Sequence, residues 1–297
     1  MHNFANRTDM KKWIEAMRLR TLPVSLAGVI CGTGCALLHD SFNAIVTLLC
    51  ILFAALAQIA SNFGNEYYDY KNGIDKKGRE GFRRGVTEGE ISPLAMKLAT
   101  YATLCVATII GLLLLFFGPW WLILVGITIM LFALGYSTGP YPLSHHGLGD
   151  IAVIIFFGIV PVTFSCFLQT GFFSHISLST SFATGLLSAN VLIVNNYRDI
   201  EDDKAVNKNT TVVIFGRKAM EWVYLLSGIT AMLVLLPVWI KIPVWSAPII
   251  VIYLFIHFKN WQYLRRNRGA SLNPLLGKTA VTLLLFSLLF LIAAITR

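Results

Sequence analysis

The sequence predicts an all-α integral membrane protein of about nine transmembrane helices. Three observations carry this. Of 297 residues, 56% are hydrophobic and only 13% charged, where a soluble domain carries roughly a quarter charged residues; the mean hydropathy is +0.68. The charges are gathered into short segments separated by long uncharged runs. Nearly all the basic residues then fall on one side of the topology that those runs define.

Asp, Glu, Lys and Arg are absent from 41–65, 98–149 and 151–197, and from shorter runs at 21–39, 222–240, 242–258 and 279–296. A bilayer core takes about 20 apolar residues per helix, so each of the two longest runs holds two crossings. Gly118-Pro119 breaks the first, and the polar, Gly-containing stretch Gln169–His175 breaks the second. The predicted spans are 22–39, 42–64, 94–117, 120–136, 151–170, 176–196, 219–239, 243–258 and 276–296. A buried helix of a soluble protein would show a polar face at a 3.6-residue period. Ile45–Ala57 and Leu104–Phe117 show hardly any.

With a cytoplasmic amino terminus, the inner segments are 1–20, 65–93, 137–150, 197–218 and 259–275. Together with Lys97 and Lys278, just inside helix ends, they hold 22 of the 24 Lys and Arg; only Lys241 and Arg297 lie outside. This asymmetry orients the chain and accounts for the net charge of +9, which is therefore no nucleic-acid footprint. Residues 1–20 form an interfacial segment, with Trp13 and Met17 among the bases of Lys11–Arg20. No small-residue cleavage site follows the first span, and 1–297 reads as one domain. Cys31, Cys35, Cys50, Cys105 and Cys166 all lie within spans in no metal-ligand or disulfide pattern, so they are packing residues.

Two inner loops break the apolar rule. Asn65 to Asp75 and Asn195 to Lys204 hold seven of the fifteen carboxylates, and each begins where an apolar helix reaches the inner surface. Asn65 and Asp69 are four apart and share one face of a helix end, as do Asp199 and Asp203. Asp75 follows Gly73 and is free to fold back, whereas Glu201 and Asp202 point elsewhere. Carboxylates ~4 Å apart repel by about 4 kcal/mol at an effective dielectric of ~20, so a positive charge must offset them. An isolated pair is commonly just a solvated loop. Two clusters at helix ends, each preceded by Asn, fit Mg²⁺, which takes one or two carboxylates and fills its other positions with water and substrate oxygens. Arg83, Arg84, Arg198, Lys204 and Lys208 are interleaved with the acids, and such groups hold phosphate oxygens.

These residues resemble the membrane-embedded aromatic prenyltransferases of the UbiA type, which carry an Asn-Asp-x-x-Asp motif after the second helix and Asp-x-x-x-Asp after the sixth. The similarity runs nearly the whole length: Arg18-Leu19-Arg20-Thr21-Leu22-Pro23, Asn65 to Asp75, Tyr136 to Leu143 with Gly147-Leu148-Gly149-Asp150, Asn195 to Asp199, and Leu272 to Leu276. The segments from Gly139 to Leu143 and from Gly147 to Asp150 favour the branch that prenylates 1,4-dihydroxy-2-naphthoate in menaquinone synthesis. Glu66 stands where the family usually has Asp, and Thr87 and Glu88 depart from the common pattern.

The resemblance implies a fold of nine helices around a central cavity, set in a bacterial cytoplasmic membrane with the site facing the cytoplasm. It implies Mg²⁺ held by Asn65, Asp69, Asp75, Asp199 and Asp203, with Asp69, Asp199 and Asp203 catalytic. A polyprenyl diphosphate would be bound by Arg84, Arg198, Lys204 and Lys208. Arg18, Tyr67 and Tyr197 stand near the aromatic acceptor. Another acceptor, such as 4-hydroxybenzoate, homogentisate or haem, is the alternative within the family. A transporter of a divalent cation or phosphorylated lipid is the alternative outside it, but transporters place ionisable residues near the midplane, and here they gather at one surface.

Overall fold

The computed structural model describes residues 2–78, 80–139 and 141–297, with side chains from Met10 onward; Pro140 of the fourth-loop segment lies outside them. The described residues are helical apart from loops and one isolated bridge between His146 and Asn209. In chain order the helices are α1 (His2–Met17), α2 (Leu22–Leu37), α3 (Ala44–Lys71), α4 (Pro93–Leu113), α5 (Leu122–Gly135) and α6 (Gly149–Thr170). There follow α7 (His175–Arg198), the short α8 (Ile200–Ala205), α9 (Thr211–Val234), α10 (Pro243–Arg266) and α11 (Asn273–Ile295). Apart from α1 and α8, each corresponds to one predicted span.

Among the described residues, six helices are long and apolar enough to cross a membrane: Met10–Leu37, Ala44–Lys71, Pro93–Phe117, Gly149–Thr170, His175–Arg198 and Gly269–Ile295. The helix α5 has only 14 residues. Arg217, Lys218 and Glu221 fall within α9, and His257, Lys259 and Asn260 within α10. The chain is a multi-pass integral membrane protein.

The helix starts are written in the sequence. The Asn43 side chain accepts from the Ile45 and Val46 amides at the head of α3. Ser92 precedes Pro93 at the head of α4, and Ser174 and Ser177 form a reciprocal capping box for α7. Other features depend on packing. A wide π turn at Ile154–Ile159 interrupts α6 ahead of Pro161. The helix α9 starts at Thr211, eight residues before its predicted span, and bends at Gly216, where φ is 79°.

The helix α7 is the most enclosed and packs against α2, α6, α9 and α11. One large core joins Cys31 and Cys35 of α2, Tyr224 of α9 and Phe286 and Phe290 of α11. The crossing of α6 and α7 is so close that a Cβ on Gly158 would lie 2.4 Å from Gly185 Cα and 2.5 Å from the Ser181 carbonyl oxygen. Small residues allow this approach in membranes. By contrast, α4 and α5 expose Leu98, Ile109, Leu124 and Leu131, as lipid-facing helices do. The space between α3, α5, α6 and α7 is left as a cavity.

Candidate active site

The cavity has a volume of about 800 Å³ and two chemical halves. Its mouth is lined by Asn65, Asp69, Asp75, Arg84, Asn195, Arg198, Asp203 and Lys208. Its depth is lined by Phe53, Leu115, Phe156, Phe164 and Leu168. Phe53 precedes Asp69 by 16 residues, roughly 24 Å along an α-helix, so the apolar half reaches far into the bilayer.

The first motif lies at the end of α3. Asn65 Nδ2 donates to Ser137 Oγ at 2.7 Å, while its Oδ1 accepts from Arg18 at 2.7 Å and from Arg84 at 3.1 Å. The chain turns back after α3 through Gly73, whose φ is 70°, and the Ile74 amide bonds the Asp69 carbonyl. That turn brings Asp75 Oδ2 to 3.2 Å from Arg84 Nε. Glu66, about 100° round the helix from Asn65, faces away from the cavity and accepts from the Val86 amide at 3.0 Å.

The second motif joins α7 to α8. Arg198 grips Asp199 with two bonds, Nε to Oδ1 at 2.6 Å and Nη2 to Oδ2 at 2.7 Å. The same guanidinium donates to Asn195 Oδ1 at 2.9 Å and to Asn273 Oδ1, at the head of α11, at 3.0 Å. Asp203 Oδ1 lies 3.2 Å from Lys208 Nζ. Burial acts to lower the pKa of Lys208, but Asp203, then Asp69, with Asp199 behind them, outweigh it and hold the ammonium above its ordinary value. Both motifs thus act on one charge, although Asp69 and Asp199 are 130 residues apart in the sequence.

Three predicted neighbours stand elsewhere. Lys204 is exposed and 3.8 Å from Glu201. Tyr67 packs edge-on against Tyr68, with ring centroids 4.9 Å apart, and beside the small core around Phe63 and Met96. Tyr197 is buried and donates to Glu221 Oε1 at 2.6 Å. None of the three lines the cavity. For the two tyrosines the reason is periodicity: a residue two positions from a site residue on a helix points to the opposite side. Arg18 does line the cavity.

Sequence reasoning gave no role to Ser137, Asn273, Arg20 or Phe82. The Arg20 guanidinium lies 3.2 Å from the Phe82 ring centroid and that of Arg198 5.2 Å from it, so Phe82 packs against two cations at the mouth. Ser137 and Asn273 fall in segments that carry the resemblance, but nothing in their spacing points to Asn65 or Arg198.

The motif side chains that line the mouth and could ligate a metal offer oxygens: the carboxylates of Asp69, Asp75 and Asp203 and the amides of Asn65 and Asn195. Among the described residues no three His, Cys, Asp or Glu side chains come close enough together to hold a metal ion by themselves. An open set of this kind fits Mg²⁺, which keeps waters and substrate oxygens among its ligands.

The sequence pattern of the UbiA prenyltransferase family spans residues 25–280. The 1,4-dihydroxy-2-naphthoate octaprenyltransferase of Escherichia coli is 34% identical, covering 94% of each chain. The enzyme of the same name from Haemophilus influenzae is 32% identical, over 95% of this chain and 94% of its own length. A UbiA homolog from Archaeoglobus fulgidus bound to GPP and Mg²⁺ superposes with a TM-score of 0.70 over 96% of this chain and 100% of its own, at 19% identity, which shows the shared fold. With its two acidic motifs brought to the mouth of one apolar cavity, this chain belongs to the UbiA prenyltransferase family.

Proposed function

We infer that this protein transfers a polyprenyl group from polyprenyl diphosphate to 1,4-dihydroxy-2-naphthoate, releasing diphosphate and CO₂ and giving demethylmenaquinol. The observation that carries this reading is the meeting of Asp69 and Asp203 with Lys208 at the polar mouth of a deep apolar cavity, with Asp199 held beside it by Arg198. The relatives' names supply the acceptor.

Asp69, Asp199 and Asp203, with Asn65 and Asp75, would hold Mg²⁺, which when bound supplies positive charge to the leaving diphosphate. Arg84, Arg198 and Lys208 bind the diphosphate oxygens that remain. Charge that develops on that group as its C–O bond breaks meets fixed cations in a site shielded by Phe82 and the loop that carries it. The apolar half of the cavity takes the isoprenoid and keeps water from the allylic carbon. The electron-rich ring then attacks that carbon, and the ring carboxylate leaves as CO₂. Arg18, already at the mouth, stands where an acceptor carboxylate would find a counter-charge. Residues 1–297 act as one domain in a bacterial cytoplasmic membrane, and the Lys and Arg of the loops around the mouth support its facing the cytoplasm.

The test is turnover in lipid nanodiscs with 1,4-dihydroxy-2-naphthoate, a polyprenyl diphosphate and Mg²⁺, with 4-hydroxybenzoate as a parallel acceptor. Prenylated naphthoquinol with CO₂ release, abolished by EDTA and restored by Mg²⁺, is the expected result. Product from hydroxybenzoate alone would move the acceptor, and no product from either would sink the reading.

A further inference from the structure

Glu66 stands in sequence inside the first motif, yet its side chain leaves the site. The residue is 1% exposed and does not line the cavity. Its Oε1 accepts from the Val86 amide at 3.0 Å, and a Cβ on Gly85 would lie 3.4 Å from the same oxygen. The loop it holds is closed locally, since the Glu90 and Ile91 amides both donate to the Gly85 carbonyl. Val86 and Ile91 are buried in the small core with Phe63 and Met96. The residue just before Gly85 is Arg84, whose guanidinium reaches Asn65 Oδ1 at 3.1 Å and Asp75 Oδ2 at 3.2 Å.

We propose that Glu66 is a positioning residue: its carboxylate holds the backbone at 85–86 against α3 and so sets Arg84 to receive the diphosphate. This rests on the reading of the mouth as a diphosphate site. The arrangement forms a closed circuit. Neighbouring residues of α3, Asn65 and Glu66, contact Arg84 and Val86, which flank Gly85, one through a side chain and the other through a backbone amide. A small, glycine-centred loop is thereby fixed at two points to one rigid helix. Holding a binding group through a second contact of this kind is what preserves its geometry.

A clamp and a metal ligand ask for different things at position 66. A ligand needs negative charge. A clamp needs an acceptor oxygen at the right reach. Glu66→Gln keeps the reach and removes the charge, whereas Glu66→Asp keeps the charge and falls one methylene short. We would measure wild type, E66Q, E66D, R84A and E66D/R84A in nanodiscs by calorimetry with Mg²⁺ and inorganic diphosphate. Hydrogen exchange at the Val86 amide and the KM and kcat for the prenyl donor complete the set.

The clamp predicts that E66Q binds diphosphate within about threefold of wild type, while E66D weakens it roughly tenfold, the size of one lost hydrogen bond to a charged group. E66D should also speed exchange at the Val86 amide and raise the donor KM more than it lowers kcat. E66D/R84A should bind no more weakly than R84A alone, because the two changes act through one group. Weaker binding by E66Q than by E66D would overturn the proposal, as would full additivity of E66D with R84A. The binding and exchange data judge the clamp whether or not wild type prenylates an aromatic, so a failure of the assigned reaction would show separately.

Discussion

Lys208 Nζ lies 3.2 Å from Asp203 Oδ1, with side chains only 18% and 7% exposed. Removing one partner of a buried pair leaves an uncompensated charge and costs roughly 3–5 kcal/mol. Lys208→Met should therefore lower the unfolding temperature of the ligand-free protein and raise the donor KM, while Lys208→Arg recovers most of both. The D203N/K208M double variant should lose less stability than the two single losses added together. Thermal unfolding in nanodiscs checks this, and strict additivity would show that the pair is not coupled.

The crossing of α6 and α7 allows a sharper test of packing. A methyl group on Gly158 would meet the backbone of the facing helix at 2.4–2.5 Å, and backbone cannot give way as a flexible side chain can. Gly158→Ala should cost about 1–3 kcal/mol or more of stability. Gly277→Ala in α11, where a Cβ meets nothing within 4 Å, should cost nothing measurable or gain slightly in helix propensity. Similar unfolding temperatures for the two variants would contradict the close crossing.

His145 sits in the loop before α6 with its Nε2 buried and without a hydrogen-bond partner. Burial first, then Lys208 and His146, lower its pKa below the ordinary histidine value. Between the folded value and the unfolded value of about 6.5, the unfolded chain binds more protons than the folded one. Stability therefore falls as pH drops below about 6.5 and levels off once the folded value is passed. Unfolding temperatures recorded from pH 7 to pH 5 should slope downward, and His145→Gln should flatten that slope. An unchanged slope would assign the effect to other groups.

Much of this was legible in the sequence, for physical reasons. Lipid imposes long uncharged runs, so the nine predicted spans could be placed from the positions of charges together with the breaks at Gly118-Pro119 and Gln169–His175. The i, i+4 spacing put Asn65 with Asp69 and Asp199 with Asp203, and the cavity lining includes Asn65, Asp69 and Asp203. Nearness in sequence misled where periodicity turns a neighbour away, as it does for Tyr67 and Tyr197. The start of α9 was missed because Arg217 and Lys218 look like loop residues until their helix is seen to run on past the charges. The bond from Arg198 to Asn273 joins residues 75 apart, and the π turn of α6 answers to the packing around it. No local pattern encodes either one.

Isoprenoid length is likewise written in no motif, but the cavity offers a place to set it. Gly126 lines the cavity, and a Cβ there would meet nothing within 4 Å. It lies ten residues along the chain from Tyr136 at the mouth, or about 15 Å of helix. A bulky side chain at 126 therefore enters open space rather than the core, so Gly126→Phe should fold normally. It should obstruct the distal part of a long tail and spare a short donor such as geranyl diphosphate. At about 0.8 kcal/mol per buried methylene, excluding two carbons lowers kcat/KM for a long donor roughly tenfold. The ratio of kcat/KM for long and short donors, measured on wild type and G126F, reads this directly. A shift toward the short donor would place the tail along α5, whereas equal losses for both donors would mean that the tail runs elsewhere.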